Sequence, residues 1–282
     1  MSKALPVVLT IAGFDPSSGA GITADIKAIS AHGCYGVSCI TALTVQSTSG
    51  VRRVEPVQPD VVADTLACLA DDVEIAAIRI GMLGSAAVAE AVADFLREQK
   101  PPNVVLDPVL VSSSGTKLVD AAGVRVLIEQ LLLVATVVTP NINEASALTG
   151  LEVADASQMR AAADQLHAMG AQAVVITGGH LDKAIDLLSF IDQHGIQRET
   201  FKSERIRSNS THGTGCAFAS AVACHLAHGR GLPEAVLLAK AYVSAAIANA
   251  LPVGKGIGPV HHLYRMSQQR RANTADAEPV SR

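Results

Sequence analysis

Along this chain, short runs of consecutive apolar, often β-branched residues alternate with longer stretches in which apolar residues recur every three or four positions. The runs PVVLTIAG (6–13), SCITALTV (38–45), EIAAIRIG (74–81), NVVLDPV (103–109), TVVTPN (136–141) and AVVITGG (173–179) read as strands covered on both faces. Residues 59–71, 85–99, 120–132 and 157–169 mix apolar positions with spaced charges and read as helices, as do 215–228 and 233–250. Such alternation predicts a parallel sheet with helices on both sides. The runs 184–191 and 196–206 flank DQHG and predict an antiparallel hairpin appended to that sheet. There is no internal repeat and no proline-rich linker. The pattern stops near residue 266, so 1–266 reads as one domain and 267–282 as a disordered tail.

Composition narrows the classes of function. With 49% hydrophobic residues a large core is available, whereas 3% aromatics, no Trp and a net charge of −4 argue against a nucleic-acid or anionic-membrane surface. The five cysteines form no C-x-x-C pair, and their odd number argues against a disulfide framework, which points to a reducing, cytoplasmic setting. The N-terminal apolar run reaches Gly13 and Asp15 without a small-residue cleavage site, so it reads as a first strand rather than a signal peptide. No uninterrupted apolar stretch approaches the ~20 residues of a membrane span.

Ligands of an open parallel sheet bind at the carboxyl ends of its strands. That rule collects residues 13–21, 44–46, 81–82, 107, 141–144 and 177–180 on one rim, with the turn at 213–216 a candidate to join them. Gly213, Thr214 and Gly215 precede a helix whose N-terminus favours an anion, and the nest suits a phosphoryl group in transfer, though a tight turn with a capping threonine has the same sequence. Cys216 follows in the first helical turn. There the dipole would lower its pKa and let it take a proton from an alcohol, while a small buried hydrophobe is the equal alternative. Asp107 and Glu144 at neighbouring strand ends could hold magnesium through its waters; singly, they also read as a turn residue and a first-turn helix acid. Asp25 lies one to two turns into the helix after the first strand, where a solvated helix acid is the plain reading. The Gln46 amide matches the donor and acceptor edge of an aminopyrimidine, but equally suits an exposed loop.

The motifs TIAGFDPSSGAGITADIKA, TALTVQST, IGMLG, VVLDPVLVSSSG, TPNINEASALTG, GGHL…DLL, THGTGCAFASA and VGKGIGPVHHLY occur in this order across residues 10–264. Together they resemble the hydroxymethylpyrimidine and hydroxymethylpyrimidine phosphate kinases of thiamine biosynthesis, within the ribokinase superfamily. The resemblance implies a three-layer α/β/α fold with a mostly parallel central sheet, MgATP as donor and transfer of the γ-phosphoryl to the pyrimidine's hydroxymethyl group. It implies an anion hole at Gly213, Thr214 and Gly215, a base at Cys216, and a magnesium and phosphate region at Asp107 and Glu144. Around the ring it implies Gln46, Asp25, Gly13, Ala20, Met82 and Val109, with 110–118 as a closing flap and a homodimer as the common assembly. One departure stands out. Relatives often carry lysine where this chain has Thr177, so, with Thr177 and Thr214 at the nucleotide's phosphates, either MgATP binding would be weaker or the work would shift to Lys255 of VGKGIG. Phe14 replaces a small polar residue and would narrow the ring pocket. A pyridoxal kinase and an idle pyrimidine sensor are the competing expectations; a dehydrogenase would need G-x-G-x-x-G after the first strand.

Overall fold

The computed structural model describes residues 4–112, 114–179, 184–204 and 206–268. Among these the strands are β1 (Val7–Phe14), β2 (Tyr35–Ser47), β3 (Gly50–Pro56), β4 (Ile75–Ile80), β5 (Val104–Leu106), β6 (Val137–Val138), β7 (Ala173–Gly178), β8 (Ala184–Asp192) and β9 (Gly195–Ser203). They form one sheet in the order β3-β2-β1-β4-β5-β6-β7-β8-β9. The six from β2 through β7 in that order run parallel, whereas β3 at one edge and the β8–β9 hairpin at the other are antiparallel. The helices are α1 (Gly21–Ala31), α2 (Pro59–Asp72), α3 (Ala86–Gln99), α4 (Ala121–Val126), α5 (Leu132–Val134), α6 (Ile142–Thr149), α7 (Ala156–Ala168), α8 (Thr214–Ala227) and α9 (Leu232–Ala248).

Successive strand residues feed opposite cores, as the two-residue side-chain period requires. Leu9, Ile78, Leu106 and Val174 pack with α2, α3, α6 and α7 residues such as Leu66, Val92, Leu148 and Leu166. Their neighbours Val8, Ala77, Val105 and Val175 pack with Ile29 of α1, Val222 of α8 and Ala239 of α9. This is why the strands read as continuous apolar runs. Helix α8 is built largely from Ala, Ser and Gly, and nine of its residues are buried. Small side chains let it lie close against the sheet, which brings its N-terminus to the strand-end rim.

Three expectations need correction. β2 is longer than 38–45, and β3 was not anticipated: Arg52, Arg53 and Glu55 are exposed, so this edge strand takes its order from pairing with β2 rather than from burial. The helix expected at 120–132 starts at its Asp120 cap but widens into a π-helical turn over Leu127–Leu131 before α5. Residues 264–268 are helical, so 267 and 268 belong to the fold, while 269–282 lie outside the described residues, as does His180 of the expected rim.

Candidate active site

The carboxyl ends of the parallel strands open onto a cavity of about 460 Å³. Beside it, between the β7–β9 edge and helices α8 and α9, lies a cleft of about 690 Å³. Asn141, Thr177, Thr211, Thr214 and Gly215 line both. The glycine turn therefore sits where the two spaces meet.

The two glycines of that turn are required for different reasons. Gly213 caps α8 in the left-handed region, at φ +79, and a Cβ there would lie 1.9 Å from the Gly19 carbonyl oxygen. A Cβ on Gly215 would meet nothing within 4 Å, so that position faces open space where a ligand can approach the backbone. Amides in the first turn of a helix have no partner within it and offer themselves to an anion.

In the smaller cavity, β1 runs into a loop organised by Asp15. Its carboxylate accepts from the Ser17 amide at 2.8 Å and the Ala20 amide at 2.9 Å, and His212 Nε2 lies 2.9 Å from Oδ2. Burial alone would raise the Asp15 pKa, but donation from His212, Ser17 and Ala20 outweighs it and holds the carboxyl below its ordinary value. Lys27 Nζ donates to the Ser18 carbonyl at 2.9 Å, pinning a residue held at φ +59. The Gln46 amide sits between Thr44, whose hydroxyl donates to Oε1 at 3.1 Å, and the His212 ring, 3.3 Å from Nε2. Gly13 leaves room for Met82, whose Cε would lie 2.4 Å from a Cβ at position 13. Gly13, Phe14, Ala20, Gln46, Met82 and Val109 all line this cavity, as do Leu110 to Ser112 of the segment expected to close over it.

Asp25 does not line it. The side chain is fully buried beneath the floor, where it accepts from Thr10 at 2.7 Å, Ser220 at 2.9 Å and Arg79 at 3.0 Å. Both the ring-contact and the solvated-acid expectations for Asp25 are therefore corrected. Arg79, itself fully buried, donates its other terminal nitrogen to Asp107 Oδ2 at 2.6 Å, and its charge acts on the Cys216 thiol. Burial pushes Asp107 up to about 6 against the pull of Arg79. Glu144, buried and repelled by Asp107, rises to about 8. The Cys216 thiol goes up to about 12 through burial, with Arg79 pulling the other way and the carboxylates of Asp107 and Asp25 adding to the rise. This reverses the expected lowering by the helix dipole, because the thiol is desolvated above two buried acids. At neutral pH it is a protonated thiol.

In the larger cleft Thr177 stands at the end of β7, in register with Asp186 of β8. Lys255 is exposed and lines neither space, so the structure does not bring it to the cleft where Thr177 stands. Among the described residues, the cations lining the cleft are the exposed Arg207 and the buried Lys240, whose Nζ lies 2.6 Å from Asp186 Oδ2. Sequence reasoning passed over Arg79, Asp15, His212 and Lys240. Arg79 had a signal, a charge inside the apolar run IAAIRIG of 75–81; His212 and Lys240 had none, since their roles depend on neighbours far along the chain.

A twisted parallel sheet carrying a phosphate-type glycine turn between a ring-sized cavity and a second cleft defines a ribokinase-like small-molecule kinase. Residues 15–261 match the phosphomethylpyrimidine kinase family. The chain belongs to that family. It is 45% identical over 259 residues to the hydroxymethylpyrimidine/phosphomethylpyrimidine kinase of Salmonella typhimurium, covering 91% of this chain and 97% of that one. It is 46% identical to the thiamine biosynthesis bifunctional protein ThiED of Geobacter sulfurreducens, with 93% of this chain matching 53% of that longer protein. Among solved structures it resembles an ADP complex of Bacillus subtilis pyridoxal kinase at 36% identity and a TM-score of 0.84, over 93% of this chain and all of that one.

Proposed function

We propose that the protein transfers the γ-phosphoryl of ATP to the hydroxymethyl group of 4-amino-5-hydroxymethyl-2-methylpyrimidine, and then to the resulting monophosphate, on the route to thiamine diphosphate. The observation that carries this reading is the junction of the two cavities at Thr214 and Gly215. A heteroaromatic alcohol in the smaller space and a nucleotide in the larger one would meet across the helix N-terminus, where three equatorial phosphoryl oxygens find amide donors. Gln46, fixed by Thr44 and lying against His212, offers the ring a donor and an acceptor. Met82, Val109 and Phe14 give the ring an apolar bed.

Cys216 borders the smaller cavity beside Gly215 and, as a protonated thiol, would orient the attacking alcohol rather than accept its proton, which would pass to a phosphoryl oxygen as the new bond forms. A loose transition state leaves little charge on the attacking oxygen, so a thiol held near 12 is tolerable and orientation matters more than basicity. Asp107 and Glu144 would hold a magnesium ion through its waters. No group of three or more His, Cys, Asp or Glu converges on a metal position among the described residues, which suits an ion that keeps most of its own hydration. When bound, that ion supplies charge neutralisation between the nucleotide's phosphates.

A homodimer in the cytoplasm is the proposed setting. Leu43 and Val45 alternate onto one exposed face of β2, 52% and 47% accessible, and would be covered by a second copy. No helix among the described residues is long and apolar enough to cross a membrane. Sedimentation velocity of the wild type and a Val45→Lys variant tests the dimer: a lysine there should yield monomer.

The activity test is ADP release with MgATP and, in turn, the pyrimidine alcohol, its monophosphate and pyridoxal. Turnover on both pyrimidines is expected. Turnover on pyridoxal alone would move the substrate class to that of the Bacillus relative, and binding of pyrimidine without turnover on any would leave a sensor.

A further inference from the structure

The most unusual group in the fold is an arginine with no exposed surface at the floor of the substrate cavity. Its guanidinium is clamped from below by Asp25, which is itself saturated by Thr10 and Ser220. Above, it holds Asp107 at 2.6 Å and shares the cavity lining with Cys216, whose thiol feels its charge. The chain makes room for this geometry: a Cβ at Gly81 would lie 2.0 Å from the guanidinium nitrogen that meets Asp25. Its third nitrogen, Nε, has no hydrogen-bond partner among the described residues. A buried arginine clamped from one side and committed to two candidate site residues on the other is more than a core ion pair, since β4 could bury an apolar residue at lower cost.

We propose that Arg79 is a positioning residue for phosphoryl transfer: anchored by Asp25, its guanidinium sets the relative placement of the Asp107 carboxylate and the Cys216 thiol across the reacting centre. Asp25 acts through Arg79 and has no contact with substrate. The inference rests on the kinase reading above for its consequences in turnover, but its effect on the thiol can be read without turnover.

The test compares wild type, Arg79→Lys and the charge-balanced pair Arg79→Met/Asp25→Asn, which leaves no uncompensated Asp25. Each is assayed for kcat and pyrimidine KM, for melting temperature, and for the rate at which iodoacetamide labels Cys216, read by peptide mass. The paired variant should stay folded, lose about 10²-fold or more in kcat with KM changed less than about threefold, and label about tenfold more slowly. Arg79→Lys keeps a cation and should recover most of the labelling rate and part of kcat. A folded pair with kcat and labelling near wild type would overturn the proposal, and so would a lysine variant as impaired as the pair in both. If the pair does not fold, Arg79→Lys decides: labelling and kcat both within tenfold of wild type support positioning by the charge, and loss of both overturns it. A wild type that labels normally but turns over no pyrimidine would overturn the kinase reading and leave the labelling comparison intact.

Discussion

At Gly213 and Gly215 the same residue type answers two different demands. Gly213 needs a left-handed backbone and space against Gly19, so an alanine there strains the cap of α8 and displaces the loop from β1. A Cβ at Gly215 would meet no described atom within 4 Å, so alanine is accommodated by the fold and intrudes only on the ligand. Gly213→Ala should therefore lower the melting temperature by several degrees as well as turnover. Gly215→Ala should melt with the wild type yet lose about 10²-fold in kcat, the scale of a lost anion-hole donor. Cys216→Ala should cost no more than Gly215→Ala if orientation outranks basicity. A dead Cys216→Ala beside an active Gly215→Ala would overturn that ranking.

Among the elements, α6 shows a site residue doing two jobs. Asn141 caps the helix and Glu144 reaches back to the Asn141 amide, a complete capping box that aims the Glu144 carboxyl at the cavity. Burial and the nearby Asp107 raise its pKa from 4.5 to about 8, so the folded protein keeps a proton that the unfolded chain releases. The fold is thereby stabilised below pH 4.5, and that contribution is lost as pH rises toward 8. Glu144→Gln keeps the cap and removes the charge. Its melting temperature should exceed that of the wild type by several degrees at pH 8 and converge with it near pH 5, while kcat falls. Thermal melts of the two proteins at both pH values check this.

For the molecule as a whole, the end of the fold opposite the rim carries a cluster of neutral histidines. Helices α1, α8 and α9 bring His32, His225 and Tyr242 into ring contact, and His262 is buried against Tyr242. Burial holds both His225 and His262 at about 4, and the positive charges of Arg230 and Arg265 near His225 and of Lys27 near His262 reinforce the shift. The unfolded chain would protonate them near 6.5, so stability present above that pH is lost as pH falls toward 4. His262→Leu should narrow the gap in melting temperature between pH 7.5 and pH 5 without changing kcat at pH 7.5. Equal gaps in both proteins would show that His262 is not a source of acid instability.

How much of this was legible in the chain follows from what each feature depends on. The six parallel strands were readable because burial on both faces leaves continuous apolar runs, and the glycine turn because an anion nest needs glycines at fixed spacing. The edge strand β3 was hidden: its order comes from hydrogen bonds to β2, which leave no mark on side-chain pattern. Asp25 was read as a solvated helix acid or a ring neighbour, and Cys216 as a base at the anion turn. Only the folded sheet revealed Arg79 between them, which sends Asp25 below the floor and leaves the desolvated thiol with a raised rather than a lowered pKa. Residue identity and local periodicity determined the layers and the rim. Which charges share a desolvated space depends on contacts between segments 15 to 197 residues apart, and that was decided by the tertiary structure alone.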